Sequence, residues 1–238
     1  MSLLFAAKRA RPDLHTAVAF LCTRVKCPNM DDWKKLVRVL SYLKDTIFLP
    51  LVLSSDGTGN MYWYVDASFA VHNNMRSHIG AMMTFGNGGA ISMSTKQKLK
   101  TKSSTGAELV AFDDALPFNI WAMYFLQEQG YHAKSTKLQT KTNNKLKYLG
   151  HRNILYQDNT NSIRLEMNGK ASSSKRTRHI NIRYFLITDK VRKKEVKIKY
   201  CPTEEMLADY LTKPLQGALF RRLRNALMGM TDEEYLSY

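Results

Sequence analysis

The feature that most constrains this fold is an apolar and aromatic run that contains a single carboxylate. Residues 61–71 read MYWYVDASFAV and follow the turn-forming residues 57–60, GTGN. A continuous apolar run of this length is typical of a strand buried on both faces, in the middle of a sheet. A charge inside such a strand is costly unless it is paired or binds a metal ion. Asp66 therefore predicts a cation site on a central strand.

The pattern after this strand predicts a mixed α/β fold with five strands. Glycine and asparagine between the second and third strands favour a tight hairpin, so the first three strands are expected to be antiparallel. Later strands follow helices, which requires crossover connections and parallel pairing. Strands are predicted near 61–71, 78–85, 90–94, 153–158 and 195–200, and helices at 103–130, 160–167, 179–194 and 203–211.

Residues 8–55 are predicted to be helical, with a break at Pro28 and Asn29. The segment 31–44 begins with two aspartates, which favour the positive end of a helix dipole. Its apolar residues follow a spacing of three and four. On this evidence alone, the whole region 8–55 can be a plain helical hairpin without a functional role.

The charge balance of the chain favours binding to a polyanion. The 238 residues carry 36 lysines and arginines against 20 aspartates and glutamates, a formal net charge of +16. Such an excess is typical of nucleic-acid binding. An acidic membrane surface is the weaker interpretation, because no strongly amphipathic basic helix stands out.

The cysteine content and the absence of long apolar runs favour an intracellular protein. Three scattered cysteines, Cys22, Cys27 and Cys201, indicate a reducing compartment without a disulfide framework. The N-terminal apolar run is too short for a secretion signal. No stretch approaches the ~20 apolar residues of a membrane span.

Three further acids are placed where the predicted sheet can bring them near Asp66. Glu108 lies about one turn into its helix, Asp158 ends its strand, and Asp209 lies beside an apolar stripe. Clustered carboxylates repel one another, and divalent cations relieve that repulsion. Oxygen ligands suit Mg²⁺ or Mn²⁺, and two ions ~4 Å apart are used for phosphoryl displacement. For each acid taken alone, an ordinary surface carboxylate remains an open alternative.

Five short motifs follow one another along the chain. They are 64–68 (YVDAS), 102–109 (KSSTGAEL), 156–159 (YQDN), 176–184 (RTRHINIRY) and 202–215 (PTEEMLADYLTKPL). Together they closely resemble the ribonuclease H domain of Ty1/copia-type retrotransposon Pol polyproteins, and their order and approximate spacing agree over roughly residues 57–230. Residues 8–50 resemble the end of the reverse transcriptase thumb and connection of the same family.

The resemblance implies a metal-dependent endonuclease that hydrolyses the RNA strand of RNA–DNA hybrids. It implies a ribonuclease H-like sheet of three antiparallel and then two parallel strands. It also implies that two Mg²⁺ ions, for which Mn²⁺ can substitute, are the cofactors, and that the reverse transcriptase polymerase domain is a partner. The metal ligands and catalytic residues that it implies are Asp66, Glu108, Asp158 and Asp209.

The same resemblance divides the chain into three parts. Residues 1–56 would be a helical remnant of the thumb and connection, 57–213 the ribonuclease H-like domain, and 214–238 a helical tail. The paired aspartates of a polymerase are absent from this sequence.

Two basic segments, 96–102 and 175–183, are predicted to contact nucleic acid. A solvated face is the usual explanation of a run of charges, but the net charge of +16 makes phosphate contact at least as good an explanation. The predicted nucleic-acid contacts are Lys96, Lys98, Lys102, Ser104, Asn159, Lys175, Arg176, Arg178, His179 and Arg183.

Two functional interpretations remain open on the sequence. The first is the hybrid-specific nuclease, favoured by the presence of all four acids. The second is a catalytically inactive nucleic-acid-binding remnant or accessory domain of a retroelement polymerase. Phe185, which stands where the family usually has a second histidine, keeps the second interpretation open.

Overall fold

The computed structural model describes residues 2–131, 153–168 and 181–230, with only the backbone for 181–185. Among the helices of these residues, none has the length and apolar character needed to span a bilayer. The elements are α1 (Ser2–Arg9), α2 (His15–Cys22), α3 (Met30–Asp45), β1 (Ser54–Ser55), β2 (Met61–Ser68), β3 (His78–Thr84), β4 (Gly86–Asn87), β5 (Ile91–Lys96), α4 (Ser104–Glu128), β6 (Asn153–Gln157), α5 (Thr160–Asn168), α6 (Asn181–Arg192), β7 (Lys197–Tyr200), α7 (Asp209–Thr212) and α8 (Gly217–Met228).

The main sheet has five strands in the order β5-β3-β2-β6-β7. The strand β2 is central, antiparallel to β3 and parallel to β6. The β3–β5 pair is antiparallel and the β6–β7 pair is parallel. The fold class, with three antiparallel and then two parallel strands, is therefore confirmed.

The helix α4 covers one face of the sheet and begins where the sequence predicts. Ser103 is its N-cap and accepts a hydrogen bond from the Gly106 amide at 3.1 Å. The apolar face of its first turns packs against β2, in a core that includes Trp63, Val65 and Phe112. Burial of this face against the central strand fixes the first turn of α4 over β2.

Three details of the predicted secondary structure are wrong. The region 8–55 is not helical to its end, because α3 ends at Asp45 and Ser54–Ser55 form the strand β1. The predicted helix 203–211 is a short 3₁₀ turn, Thr203–Glu205, followed by the separate helix α7. Met206 leaves the helical conformation between them, and its side chain is buried with Cys201 and Ala208. The glycine-rich connection after β3 is also more than a tight turn, because β4 within it pairs with β1.

The N-terminal helices pack on the sheet through polar and aromatic contacts. The Thr16 hydroxyl donates to the Tyr210 carbonyl at 2.6 Å, and the Tyr210 hydroxyl donates to the Asp13 carbonyl at 3.0 Å. Phe20 stacks on the buried rings of His72 and His78. Each of these contacts joins a residue before the predicted domain boundary at 56/57 to a residue after it. The boundary itself stays a prediction.

Deletion of residues 1–56 is expected to destabilise the remainder of the chain strongly. The deletion removes Phe20 from the two histidines and exposes the buried hydroxyl of Tyr210. Loss of such buried packing and hydrogen bonding costs several kcal/mol. Urea unfolding of the full chain and of 57–238 measures this, and equal midpoints would show instead that 1–56 is dispensable.

Candidate active site

Asp66 lies at the centre of the sheet and is 2% exposed. It pairs across β2 and β3 with Gly80, and the Thr212 hydroxyl of α7 donates a hydrogen bond to its Oδ2. Burial raises the pKa of Asp66, and Asp158 raises it further, while Lys213 and Thr212 oppose the change. The Thr212 hydroxyl and the Lys213 ammonium group therefore offset part of the free-energy cost of burying the Asp66 carboxylate in this strand.

Glu108 and Asp158 converge on Asp66. Glu108 comes from the first turns of α4, and Asp158 directly follows β6, whose carboxyl end lies at the same edge of the sheet as that of β2. One ligand oxygen from each of the three lies within 4.8 Å of the others. The triad named here, Asp66, Glu108 and Asp158, can therefore provide three hard oxygen ligands to one small divalent cation.

The Glu108 carboxylate is the least compensated group of the triad. It is 5% exposed, and its Oε2 has no hydrogen-bond partner in the described structure. Burial raises the pKa of Glu108 well above its ordinary value, and the charges of Asp66 and Asp158 raise it further. A buried oxygen without a partner calls for an explanation, and a bound cation is one that fits a group next to two other carboxylates.

The fourth acid, Asp209, lies on the other side of Asp66 and is paired with a lysine. Lys213 donates to Asp209 Oδ1 at 2.6 Å, and its Nζ lies 3.8 Å from Asp66 Oδ2. Burial and the charge of Asp66 raise the pKa of Asp209 to about 6, against the effect of Lys213. All four predicted acids thus interact electrostatically, but the triad is the group whose oxygens converge in the described residues.

A glycine allows α7 to reach the site. A Cβ atom at Gly80 would lie 2.6 Å from Thr212 Cγ2 and 2.7 Å from the Ala208 carbonyl oxygen. Any larger side chain would therefore push α7, and Asp209 with it, away from β3. The sequence analysis did not identify Gly80, although a glycine inside a strand is a known signal of close backbone approach.

Comparison with known proteins identifies relatives of nearly the whole chain. No protein-family model matches it. It is 31% identical, over 96% of its length, to the retrovirus-related Pol polyprotein from transposon TNT 1-94 of Nicotiana tabacum. It is 30% identical, over 89% of its length, to that from transposon RE2 of Arabidopsis thaliana. The homologues of this chain are therefore retrovirus-related Pol polyproteins of transposons, and the chain matches one segment of them. This confirms the resemblance to Ty1/copia-type elements.

The chain corresponds to a small part of these Pol polyproteins. It spans 16% of the TNT 1-94 polyprotein and 13% of the RE2 polyprotein. Among solved structures, LC11-RNase H1, isolated from compost, aligns with 64% of this chain and 92% of its own, at 18% identity and a TM-score of 0.40. The same ribonuclease in complex with RNA/DNA hybrid aligns at 16% identity and a TM-score of 0.38.

A buried acid on α5 was also missed by the sequence analysis. Glu166 is fully buried, and the Gln157 amide donates to its two carboxyl oxygens at 3.2 and 3.0 Å when its nitrogen is oriented toward the carboxyl group. Burial raises the pKa of Glu166 to about 8, although Gln157 opposes the shift. The apolar spacing of α5 gives no signal for this residue, because Glu166 lies on the inward face with Leu165.

The predicted lysines lie at the edge of the sheet that carries the triad. Lys96 is half-buried at the end of β5, opposite His78 and hence in line with the end of β2. Lys98 and Lys102 are exposed in the connection from β5 to α4. The strand ends at Lys96, so Lys98 and Lys102 do not continue an extended run with it.

The remaining predicted nucleic-acid contacts are only partly described. Ser104 is exposed as the first residue of α4. The Asn159 side-chain oxygen accepts from the backbone amides at 161 and 162, at 3.1 and 3.2 Å, and so caps α5. Arg183 belongs to α6, and only its backbone is described. Four others, Lys175, Arg176, Arg178 and His179, lie outside the described residues.

Proposed function

We propose that this chain is a divalent-metal-dependent endonuclease that hydrolyses the RNA strand of RNA–DNA hybrids, as part of a retrotransposon reverse transcriptase polyprotein. The observation that carries the proposal is the convergence of three carboxylates, with one oxygen of each within 4.8 Å of the others, together with a buried oxygen of Glu108 that has no hydrogen-bond partner among the described residues. The choice of hybrid as substrate rests on the Ty1/copia motifs, which contain all four acids.

The donor set fits Mg²⁺ or Mn²⁺. The ligands are carboxylate oxygens alone, which suit hard cations better than softer metals that favour nitrogen or sulfur. Asp66, Glu108 and Asp158 would hold an ion, with Asp209 next to Asp66. A bound divalent cation supplies Lewis acidity and an activated water for phosphodiester hydrolysis. The proposed cofactor is two such ions.

The chain itself would bind and orient the nucleic acid. Lys98 and Lys102 are exposed on the connection that leads into α4, ten and six residues before Glu108. Lysines at this position can contact phosphates without reading bases, which suits a nuclease of low sequence specificity. The net charge of +16 adds a general attraction for the backbone.

The polymerase part of the same polyprotein is the proposed partner of this segment. The chain spans only 16% of the TNT 1-94 polyprotein, so most of such a protein lies elsewhere. Co-purification of this chain with a separately expressed polymerase segment tests this proposal. Failure of the two to associate at micromolar concentration would contradict it.

The nuclease proposal predicts strand-selective and metal-dependent cleavage. The full chain is incubated with RNA–DNA hybrid, duplex RNA, duplex DNA and single-stranded RNA, each labelled on one strand at a time. We expect cleavage of the RNA strand of the hybrid in Mg²⁺ or Mn²⁺ and none with a chelator, because the acids need a cation to act on a phosphodiester.

Three outcomes would contradict the proposal. Cleavage that persists in chelator would exclude the carboxylate site as its source. Cleavage of duplex DNA in preference to hybrid would change the substrate class. Salt-sensitive hybrid binding without cleavage, at any concentration of either metal, would favour the inactive nucleic-acid-binding remnant instead.

A further inference from the structure

Lys213 lies close to two of the four acids. The Lys213 Nζ lies 2.6 Å from Asp209 Oδ1 and 3.8 Å from Oδ2 of Asp66, which is also a member of the triad. Glu108 Oε2, in contrast, has no hydrogen-bond partner among the described residues. An ammonium group therefore stands between two buried carboxylates.

The position of Lys213 is held by the fold. Asp209 and Lys213 are four residues apart and bracket α7, so both side chains are set by the same short helix. The helix is held against β3 by the close approach at Gly80 and by the hydrogen bond from Thr212 to Asp66. The Asp66 and Asp209 side chains are almost fully buried, whereas the lysine side chain is 36% exposed.

We propose that Lys213 is a built-in counter-cation that occupies the place of the second divalent ion. This inference rests on the proposed function. The first ion binds at the triad, where Glu108 Oε2 is unpartnered. A second ion between Asp66 and Asp209 binds only when Lys213 withdraws. The ammonium group lies 2.6 Å from Asp209 Oδ1 and 3.8 Å from Asp66 Oδ2, so it would strongly repel a divalent cation bound to the same carboxylates.

Solvent exposure gives Lys213 a path of withdrawal. Its flexible four-carbon side chain can move outward without unpacking the core, whereas the buried carboxylates cannot follow. Lys213 in this way offsets part of the negative charge of the metal-free site. Binding of the second ion is therefore coupled to an outward movement of the Lys213 side chain. The chemical class of the ligand is a small divalent cation.

The test is a calorimetric titration of metal-free full chain with Mn²⁺, for the wild type and for Lys213→Met. In the wild type we expect one ion to bind well and a second to bind weakly. Removing the ammonium charge should strengthen the second ion by about tenfold or more, and the first ion less. The control is Lys34→Met, which removes the same charge from an exposed position on α3.

A second measurement guards against a general effect of the substitution. In chelator, Lys213→Met should melt below the wild type, because Asp66 and Asp209 then lack their cation, and Mn²⁺ should restore it. Lys213→Arg keeps the charge and should bind the second ion as weakly as the wild type, which provides the comparison if the methionine variant does not fold.

Three results would overturn the inference while leaving the nuclease proposal intact. The first is equally strong binding of two ions by the wild type. The second is an unchanged second-ion affinity in Lys213→Met, and the third is a strengthened second-ion affinity in Lys213→Arg. Absence of any bound ion in the wild type would instead overturn both proposals. None of these readouts depends on cleavage.

Discussion

Replacing Glu108 with glutamine is expected to lower hybrid cleavage by orders of magnitude and to raise the melting temperature of the metal-free protein. Glutamine has almost the same shape, but it removes an acid whose ionisation is opposed by burial and by the nearby Asp66 and Asp158. Relief of such strain at a functional site typically adds about 0.5–2 kcal/mol of stability. The same change removes one ligand of the triad, so activity is lost while the fold becomes more stable.

The matched control for this variant is Glu128→Gln, which makes the same chemical change at an exposed position near the end of the same helix. Melting curves are recorded in chelator and in Mn²⁺. Mn²⁺ should raise the melting temperature of the wild type and of the control more than that of Glu108→Gln, because metal stabilises only a folded site that binds it. A Glu108→Gln variant that is less stable than wild type in chelator, or fully active, would show that Glu108 is structural.

The second large effect is expected from Glu166→Gln, and it depends on pH. Burial raises the pKa of Glu166 to about 8 from an ordinary value of 4.5, so the folded protein keeps this group protonated across the neutral range. The unfolded chain releases the proton above about pH 4.5. The stability of the wild type should therefore fall relative to the variant as the pH rises from 4.5 to 8, by on the order of 4 kcal/mol.

Free energies of unfolding, measured by urea titration at pH 5 and pH 8, test this prediction. The difference between Glu166→Gln and wild type should be small at pH 5 and large at pH 8, since glutamine resembles the protonated acid. Glu128→Gln should show a nearly constant difference. A Glu166→Gln difference that is equally constant would mean that Glu166 is ionised in the folded protein, with a cation partner.

The parts of the fold that sequence reasoning predicts correctly are those with a strong local signal. The continuous apolar run at 61–68 indicates a strand covered on both faces, and β2 is the central strand. Ser103 indicates a helix start because its side chain can accept from the first turn. The strands β1 and β4 have two residues each, which is too short for any periodicity. The break at Met206 depends on burial of that side chain, a tertiary effect.

For the site, sequence reasoning identifies the acids but not the groups that position them. The predicted convergence of Asp66, Glu108 and Asp158 agrees with the structure, while their roles as ligands stay proposals. Thr212 contacts Asp66 across 146 residues of sequence, a separation that no local pattern encodes. Lys213 was within reach of prediction, because a lysine four residues after an aspartate on a helix commonly pairs with it.

The most direct test of the central claim is the position of Mn²⁺ in a crystal of the full chain. The anomalous signal of manganese locates the ion independently of the protein model. We predict a peak bound by oxygens of Asp66, Glu108 and Asp158 at roughly 2.0–2.3 Å, the range for small divalent cations on carboxylates. Saturating Mn²⁺ with no peak among these three side chains, or a peak only elsewhere on the protein, would contradict the account.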